Sequence, residues 1–281
     1  MALDRDLVVV MGDRRYRVER SWGETSGDAP LRLISSIAVD ARGRVYAYQR
    51  AEPPVVVFDP DGRVHAKWGE DRIADPHGLT IAPDGRVLLV DRDAHQVLVF
   101  TPEGEPAGAI GTRHSPRFQA PFNHPTGVAV APDGEIYVSD GYGNSVVHRF
   151  AADGTHRGTW GRPGRGPGEF TTPHAVVVDG QDRVLVADRE NNRIQLFDRD
   201  GTYLGEWGDL YHPMDIFVDD RGLTFVTDQI PRVSLFAPDG TLIGRCRAVW
   251  NIAHGIAGNT AGDLYLAEMQ PSRITRLMRV E

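Results

Sequence analysis

The chain has 281 residues, 41% hydrophobic and 25% charged, with a formal net charge of −8. This is the composition of a globular protein large enough for a full core, and its acidic balance argues against a general nucleic-acid binder, which needs a basic face. No run of 18 apolar residues occurs, so no helical membrane span is expected and no membrane partner is assigned.

The chain opens MALDRDLVVVMGDRRYRVE, with acidic residues at Asp4 and Asp6 and an apolar run too short for a signal-peptide core. Cys246 is the single cysteine, so no intramolecular disulfide can form. Both features suit a cytoplasmic protein.

From Ser35 onward one phrase recurs. It reads SSIAVDARGRVYAYQ from Ser35, PHGLTIAPDGRVLLVD from Pro76, PTGVAVAPDGEIYVSD from Pro125 and PHAVVVDGQDRVLVAD from Pro173. Weaker copies are PMDIFVDDRGLTFVTD from Pro213 and AHGIAGNTAGDLYLAE from Ala253. The phrase-start positions 35, 77, 126, 174, 214 and 254 are separated by 42, 49, 48, 40 and 40 residues. Each unit alternates short apolar runs with Asp-Gly turns, the pattern of a four-stranded meander. Six such units predict an all-β fold, a single six-bladed β-propeller over residues 1–281. After the sixth phrase only SRITRLMRV remains, about one strand, while RRYRVERSWGE near the start matches the outer-strand pieces VHAKWGE and THRGTWGR. The N-terminal strand is therefore expected to complete the last blade and close the ring, which removes an exposed edge. Leu7–Met11 competes with Ile274–Arg279 for the third-strand place in that blade.

The first strand of a propeller blade lines the central channel, so the phrase starts form a ring at its mouth: Ser35, His77, Thr126, His174, Met214 and His254. Histidine recurs on every second blade. A lone histidine is more simply a packing residue, but three in register supply the His₃ donor set of a catalytic zinc site with one open position. Zinc suits it best, and other divalent transition metals are compatible. The loops after the second strands form a further ring with Arg50, Arg92, Tyr142, Arg189, Gln229 and Met269. Arginines beside a metal suit a small-molecule or peptide substrate carrying a carboxylate, which a guanidinium grips at two points. Arg92 reads most simply as a surface salt-bridging residue. Gly141 and Gly143 flank Tyr142, and their backbone freedom would let it reach the channel. Asp91, Asp140, Asp188 and Asp228 share one blade position and read as turn or interblade hydrogen-bonders. The remaining histidines show no repeat register, with His124 nearest a phrase start.

The stretches SDGYGNSVVHRF, GEFTTPHAVVV and ADRENNRIQLF, together with DPHGLTIAPDGRVLLVDRDAHQVLVF, closely resemble the catalytic core of the peptidyl-α-hydroxyglycine α-amidating lyases, six-bladed propellers built from NHL repeats. The similarity covers most of residues 40–270 and is strongest over 76–200. It implies that His77, His174 and His254 hold zinc, that Tyr142 is the catalytic tyrosine and that Arg50 and Arg189 are the active-site arginines. The implied reaction is cleavage of an N-acyl hemiaminal, an α-hydroxyglycine, into an amide and glyoxylate. Gly255 stands where the family has an aspartate, a departure that counts against the family's structural calcium. Two other classes compete with this zinc-dependent carbon–nitrogen lyase. A lactonase-like propeller hydrolase would favour carboxylate and amide ligands around calcium. A non-catalytic NHL protein-binding module would leave the histidine ring without a use. The substrate, the native metal and the oligomeric state are not legible in the sequence.

Overall fold

The structure, a computed structural model, describes residues 7–23 and 30–281. Asp4, Asp6 and the rest of the opening segment Met1–Asp6, on which the expected absence of a signal peptide rests, lie outside the described residues.

The described strands form six antiparallel sheets, five of four strands and one of five. The fold is the expected six-bladed NHL-type β-propeller. The Cα framework divides into two compact units. Residues 70–213 carry blades 2, 3 and 4; residues 1–69 and 214–281 carry blades 1, 5 and 6. No described helix is long and apolar enough to cross a membrane.

Burial follows strand position. The second strands VLLVD (Val87–Asp91), IYVSD (Ile136–Asp140) and VLVAD (Val184–Asp188) are buried at every residue. The outer strand His156–Trp160 is mostly exposed. The core is therefore layered between successive blades. Leu88, Val90, Val97, Val128, Ile136 and Val138 pack between blades 2 and 3, and Tyr137, Val147, Val176, Val184, Val186 and Phe197 between blades 3 and 4. The other unit repeats the arrangement, with Phe225, Leu235, Ile256, Leu264 and Leu266 between blades 5 and 6.

The turn joining first and second strands is built from its phrase aspartate. The Asp40 Oδ1 accepts the N–H groups of Arg42 and Arg44, and Asp179 does the same for Gln181 and Arg183. The left-handed residue of that turn is Gly43 in blade 1 but Asp182 in blade 4, where the sequence reads DGQDR; aspartate is one of the few side-chain-bearing residues that adopts this conformation readily.

The last blade settles the competition at its third position. Its order is Val8–Met11, Arg14–Trp22, Ser272–Val280, Leu264–Met269, Ala253–Gly258. Ser272–Val280 takes the third place because a tight turn returns it directly against Leu264–Met269, with Met269 opposite Ser272. Arg14–Trp22 pairs along it from Arg15 opposite Val280 to Trp22 opposite Ile274, completing the blade from the N-terminal side as expected. Val8–Met11 becomes a fifth strand on the outside. There Met11 is buried, and Gly244 of blade 5 comes so close that a Cβ on it would lie 2.6 Å from the Gly12 nitrogen.

Cys246 lies in the layer between blades 5 and 6, where burial pushes its thiol up to about 12. Alkylation by a thiolate-directed reagent at pH 8 should therefore be negligible in the folded protein and rapid once denaturant is added. Prompt labelling of the native chain would contradict this packing.

Candidate metal centre

Each of the three phrase-start histidines is the extra residue of a β-bulge. In blade 4 the ladder passes from Pro173 opposite Asp188 to Ala175 opposite Ala187, skipping His174. In blade 6 it passes from Ala253 opposite Glu268 to Gly255 opposite Ala267, skipping His254. In blade 2 the shift falls between Pro76 and Leu79, at His77 and Gly78. A bulge turns one side chain away from the pleat. Behind each bulge a buried carboxylate at the end of the second strand holds the incoming loop. Asp91 accepts the N–H groups of Ala74 and Asp75, and Asp188 accepts that of Thr171. Asp140 does the same for Asn123 ahead of Thr126. The recurring aspartates are thus structural hydrogen-bonders, and Asp188 ion-pairs with Arg193 as well.

His77 and His174 are buried in one unit with ring centroids 4.9 Å apart, and His254 is buried at the equivalent place in the other. The His77 Nδ1 lies 2.6 Å from the Thr126 carbonyl oxygen, and the His254 Nδ1 lies 2.6 Å from that of Ser35. A carbonyl only accepts, so both Nδ1 atoms carry hydrogen and the lone pair of each neutral ring resides on Nε2. Backbone carbonyls commonly fix metal-ligating imidazoles in this way. Buried imidazoles, two of them with the Nε2 lone pair oriented in this way, are donors that fit a borderline divalent metal ion such as zinc.

Tyr142 meets two of these histidines. Its phenol oxygen lies 3.1 Å from Nε2 of His77 and 3.1 Å from Nε2 of His174. The Nη1 of Arg189 donates to the same oxygen at 3.3 Å. The guanidinium groups of Arg92 and Arg189 each stack on the Tyr142 ring, 5.4 Å from its centroid. Neither flanking glycine has the left-handed φ that their expected role implied. Their requirement is space: a Cβ on Gly141 would lie 2.1 Å from the Pro173 oxygen, and one on Gly143 would lie 2.4 Å from the Asn123 side chain.

The arginines are anchored by acids. Arg92 pairs with Asp75 at 2.6 Å and Asp93 at 2.9 Å, the salt bridging expected of it, yet it also covers the tyrosine ring. That second contact was not legible in the sequence. Arg189 pairs with the adjacent Glu190 at 2.8 Å, leaving Nη1 for the phenol. Arg50 lies in the other unit, half-buried on the corresponding loop of blade 1, with its N–H bonded to the Leu33 carbonyl. His124 packs edge-on against His95 and bonds Asn123. Burial and the neighbouring His124 hold His95 below the usual histidine range. Gly255 packs tightly: a Cβ there would lie 3.1 Å from the Ser36 Cα, a contact that backbone would have to yield to relieve.

One carboxylate on the first strands escaped the sequence reading. Asp215 follows the phrase start of blade 5, and burial pushes its carboxyl up to about 7. The signal was available: at the same place the other five blades carry Ser36, Gly78, Gly127, Ala175 and Gly255, all small and uncharged.

Comparison with known proteins agrees with this architecture. The NHL repeat model matches residues 74–100, 122–150 and 170–197. Mouse NHL repeat-containing protein 3 is 30% identical over 264 residues, covering 86% of this chain and 76% of that protein. Peptidyl-α-hydroxyglycine α-amidating lyase 1 of Drosophila melanogaster is 31% identical over 206 residues, covering 68% of this chain. The chain belongs to this amidating lyase-like family of NHL propellers. It spans only 36% of the fly lyase's own length. Among solved structures of the same fold is a gluconolactonase from Xanthomonas campestris, with a TM-score of 0.71 at 16% identity, covering 96% of this chain and 91% of that one.

Proposed function

We propose that this member of the amidating lyase-like family is a metal-dependent carbon–nitrogen lyase. Its substrate is of the α-hydroxyglycine type, an N-acyl hemiaminal bearing a carboxylate, and its products are an amide or amine plus glyoxylate or a related carbonyl compound. The observation that carries this reading is the phenol oxygen of Tyr142, within hydrogen-bond distance of two buried histidine nitrogens and of Arg189.

His77, His174 and His254 would hold the metal, and zinc matches this donor set best. When bound, the metal supplies Lewis acidity that polarises the substrate's α-hydroxyl or carboxylate. Tyr142 takes the hydroxyl proton as general base. The oxygen's electron pair closes the new C=O bond as the C–N bond breaks. The departing pair stays on nitrogen, which takes up a proton to give the amide. Arg189 steadies the phenolate or the substrate carboxylate, and Arg50 meets the charge developing on the carbonyl product.

The test is incubation of the protein as purified with an N-acyl-α-hydroxyglycine, reading amide and glyoxylate together. Stoichiometric release of both, with no oxygen from labelled water entering the amide, is expected. Acid product carrying solvent oxygen would favour the hydrolase reading, and no turnover by metal-loaded protein would favour a binding propeller.

A further inference from the structure

The Asp215 carboxylate lies on the first strand of blade 5, Pro213–Val218. Its Oδ2 accepts the N–H of Ile256 at 2.9 Å, and its Oδ1 accepts the N–H of Ile216 at 2.9 Å. Ile256 belongs to the first strand of blade 6, two residues beyond His254. That strand pairs with Leu264–Met269 on one side only, so an N–H on its other edge has no ladder partner. Asp215 satisfies one such donor, immediately after the bulge at which His254 leaves the pleat.

The surroundings make this contact more than filler. Gly255, between His254 and Ile256, has no side chain to brace the bulge, and a Cβ there would lie 3.1 Å from the Ser36 Cα. On the other side of the bulge the imidazole itself is tied to Ser35 through Nδ1. His254 is therefore restrained at two points, its ring by the Ser35 carbonyl and its backbone by the Asp215 carboxylate. A charged acceptor bonds an amide N–H more strongly than a neutral one. The carboxylate is also kept where its charge is costly, since burial raises its pKa to about 7 and no cation pairs with it among the described residues. A neutral residue would pack there at lower cost.

We propose that Asp215 is a positioning residue for the metal centre, holding the blade 6 bulge so that the His254 imidazole is presented at a fixed place and angle. This inference rests on the three-histidine metal reading. Groups that orient a metal ligand from outside typically change metal affinity by about 10–100-fold when removed.

The experiment compares wild type with Asp215→Asn and Asp215→Ala. Zinc dissociation constants are read by chelator competition, the visible spectrum is recorded after cobalt substitution, and melting is followed without metal. Zinc binding should weaken about 10–100-fold in Asp215→Ala and by a smaller factor in Asp215→Asn, where one amide oxygen replaces two carboxylate oxygens. The cobalt spectrum should change in both, and the metal-free melting temperature should hold or rise. Wild-type zinc affinity and an unaltered cobalt spectrum in both variants would overturn the assignment, whatever happened to melting. If Asp215→Ala does not fold, the isosteric Asp215→Asn carries the same readouts. A wild-type chain that takes up no metal would overturn the metal reading and this inference together. Wild-type binding with unaffected variants overturns this inference alone.

Discussion

Tyr142→Phe should leave the chain folded and metal-loaded while lowering kcat for an N-acyl-α-hydroxyglycine by about 10²–10⁴-fold, the range associated with loss of a general acid–base group. The substitution removes one oxygen. The ring remains for Arg92 and Arg189 to stack on, and the side chain is already 38% exposed, so packing changes little. What disappears is the group 3.1 Å from both His77 and His174. Metal content of the purified variant should match wild type, because the phenol belongs to none of the three ligating side chains. The measurement is kcat and KM with elemental analysis on the same preparation. If turnover were undiminished at equal metal content, Tyr142 would not be the base. If metal were lost with activity, the phenol would be supporting the centre instead.

His174→Ala should reduce bound transition metal from about one per chain to trace, with activity falling to background. Of the three proposed ligands only His77 and His254 would then remain, two donors where a stable zinc site needs at least three. The loss should exceed the roughly 10–100-fold typical of an outer partner, because a direct ligand is removed. The fold should survive. His174 lies on an inner strand whose ladder continues from Ala175 to Val178, and the layer of Val176, Val184 and Val186 does not include it. Elemental analysis of wild type and variant, both purified without added metal, decides this. Retention of one metal per chain in the variant would place the metal elsewhere. Absence from both, with no uptake on adding zinc, would make the three histidines packing residues and move the reading to a binding propeller.

The two experiments separate different failures. Tyr142→Phe asks whether the proposed chemistry uses this phenol, and His174→Ala asks whether the donor set holds a metal at all. Arg92 and Arg189 complicate neither, since both are anchored by acids of their own: Asp75 and Asp93 for the first, Glu190 for the second.

The repeated phrase by itself determined the all-β propeller, its six blades and the completion of the last blade from the N-terminal side. The reason is physical: every blade solves the same burial problem, so two-residue alternation and the turn aspartate recur at fixed offsets, and a tryptophan ends the outer strand in four of the six blades. Register carried information too, because equivalent offsets occupy equivalent positions, and His77, His174 and His254 share one such offset in the sequence. What only the tertiary structure decided were features made by non-equivalent neighbours. The bulges that project the histidines depend on a local mismatch between strand lengths, and nothing in the alternation marks it. The demand for glycine at 141 and 143 comes from Pro173 and Asn123, distant in sequence and close in space. Arg92 could be read as a salt-bridging residue from its acidic neighbours, but its place over Tyr142 depends on how blades 2 and 3 pack. Asp215 broke the pattern of small residues visibly, yet its partner, the Ile256 backbone, offers no side-chain identity for a sequence to display. A repeat encodes what its copies share; the particular contacts between one copy and the next are settled only when the sheets pack.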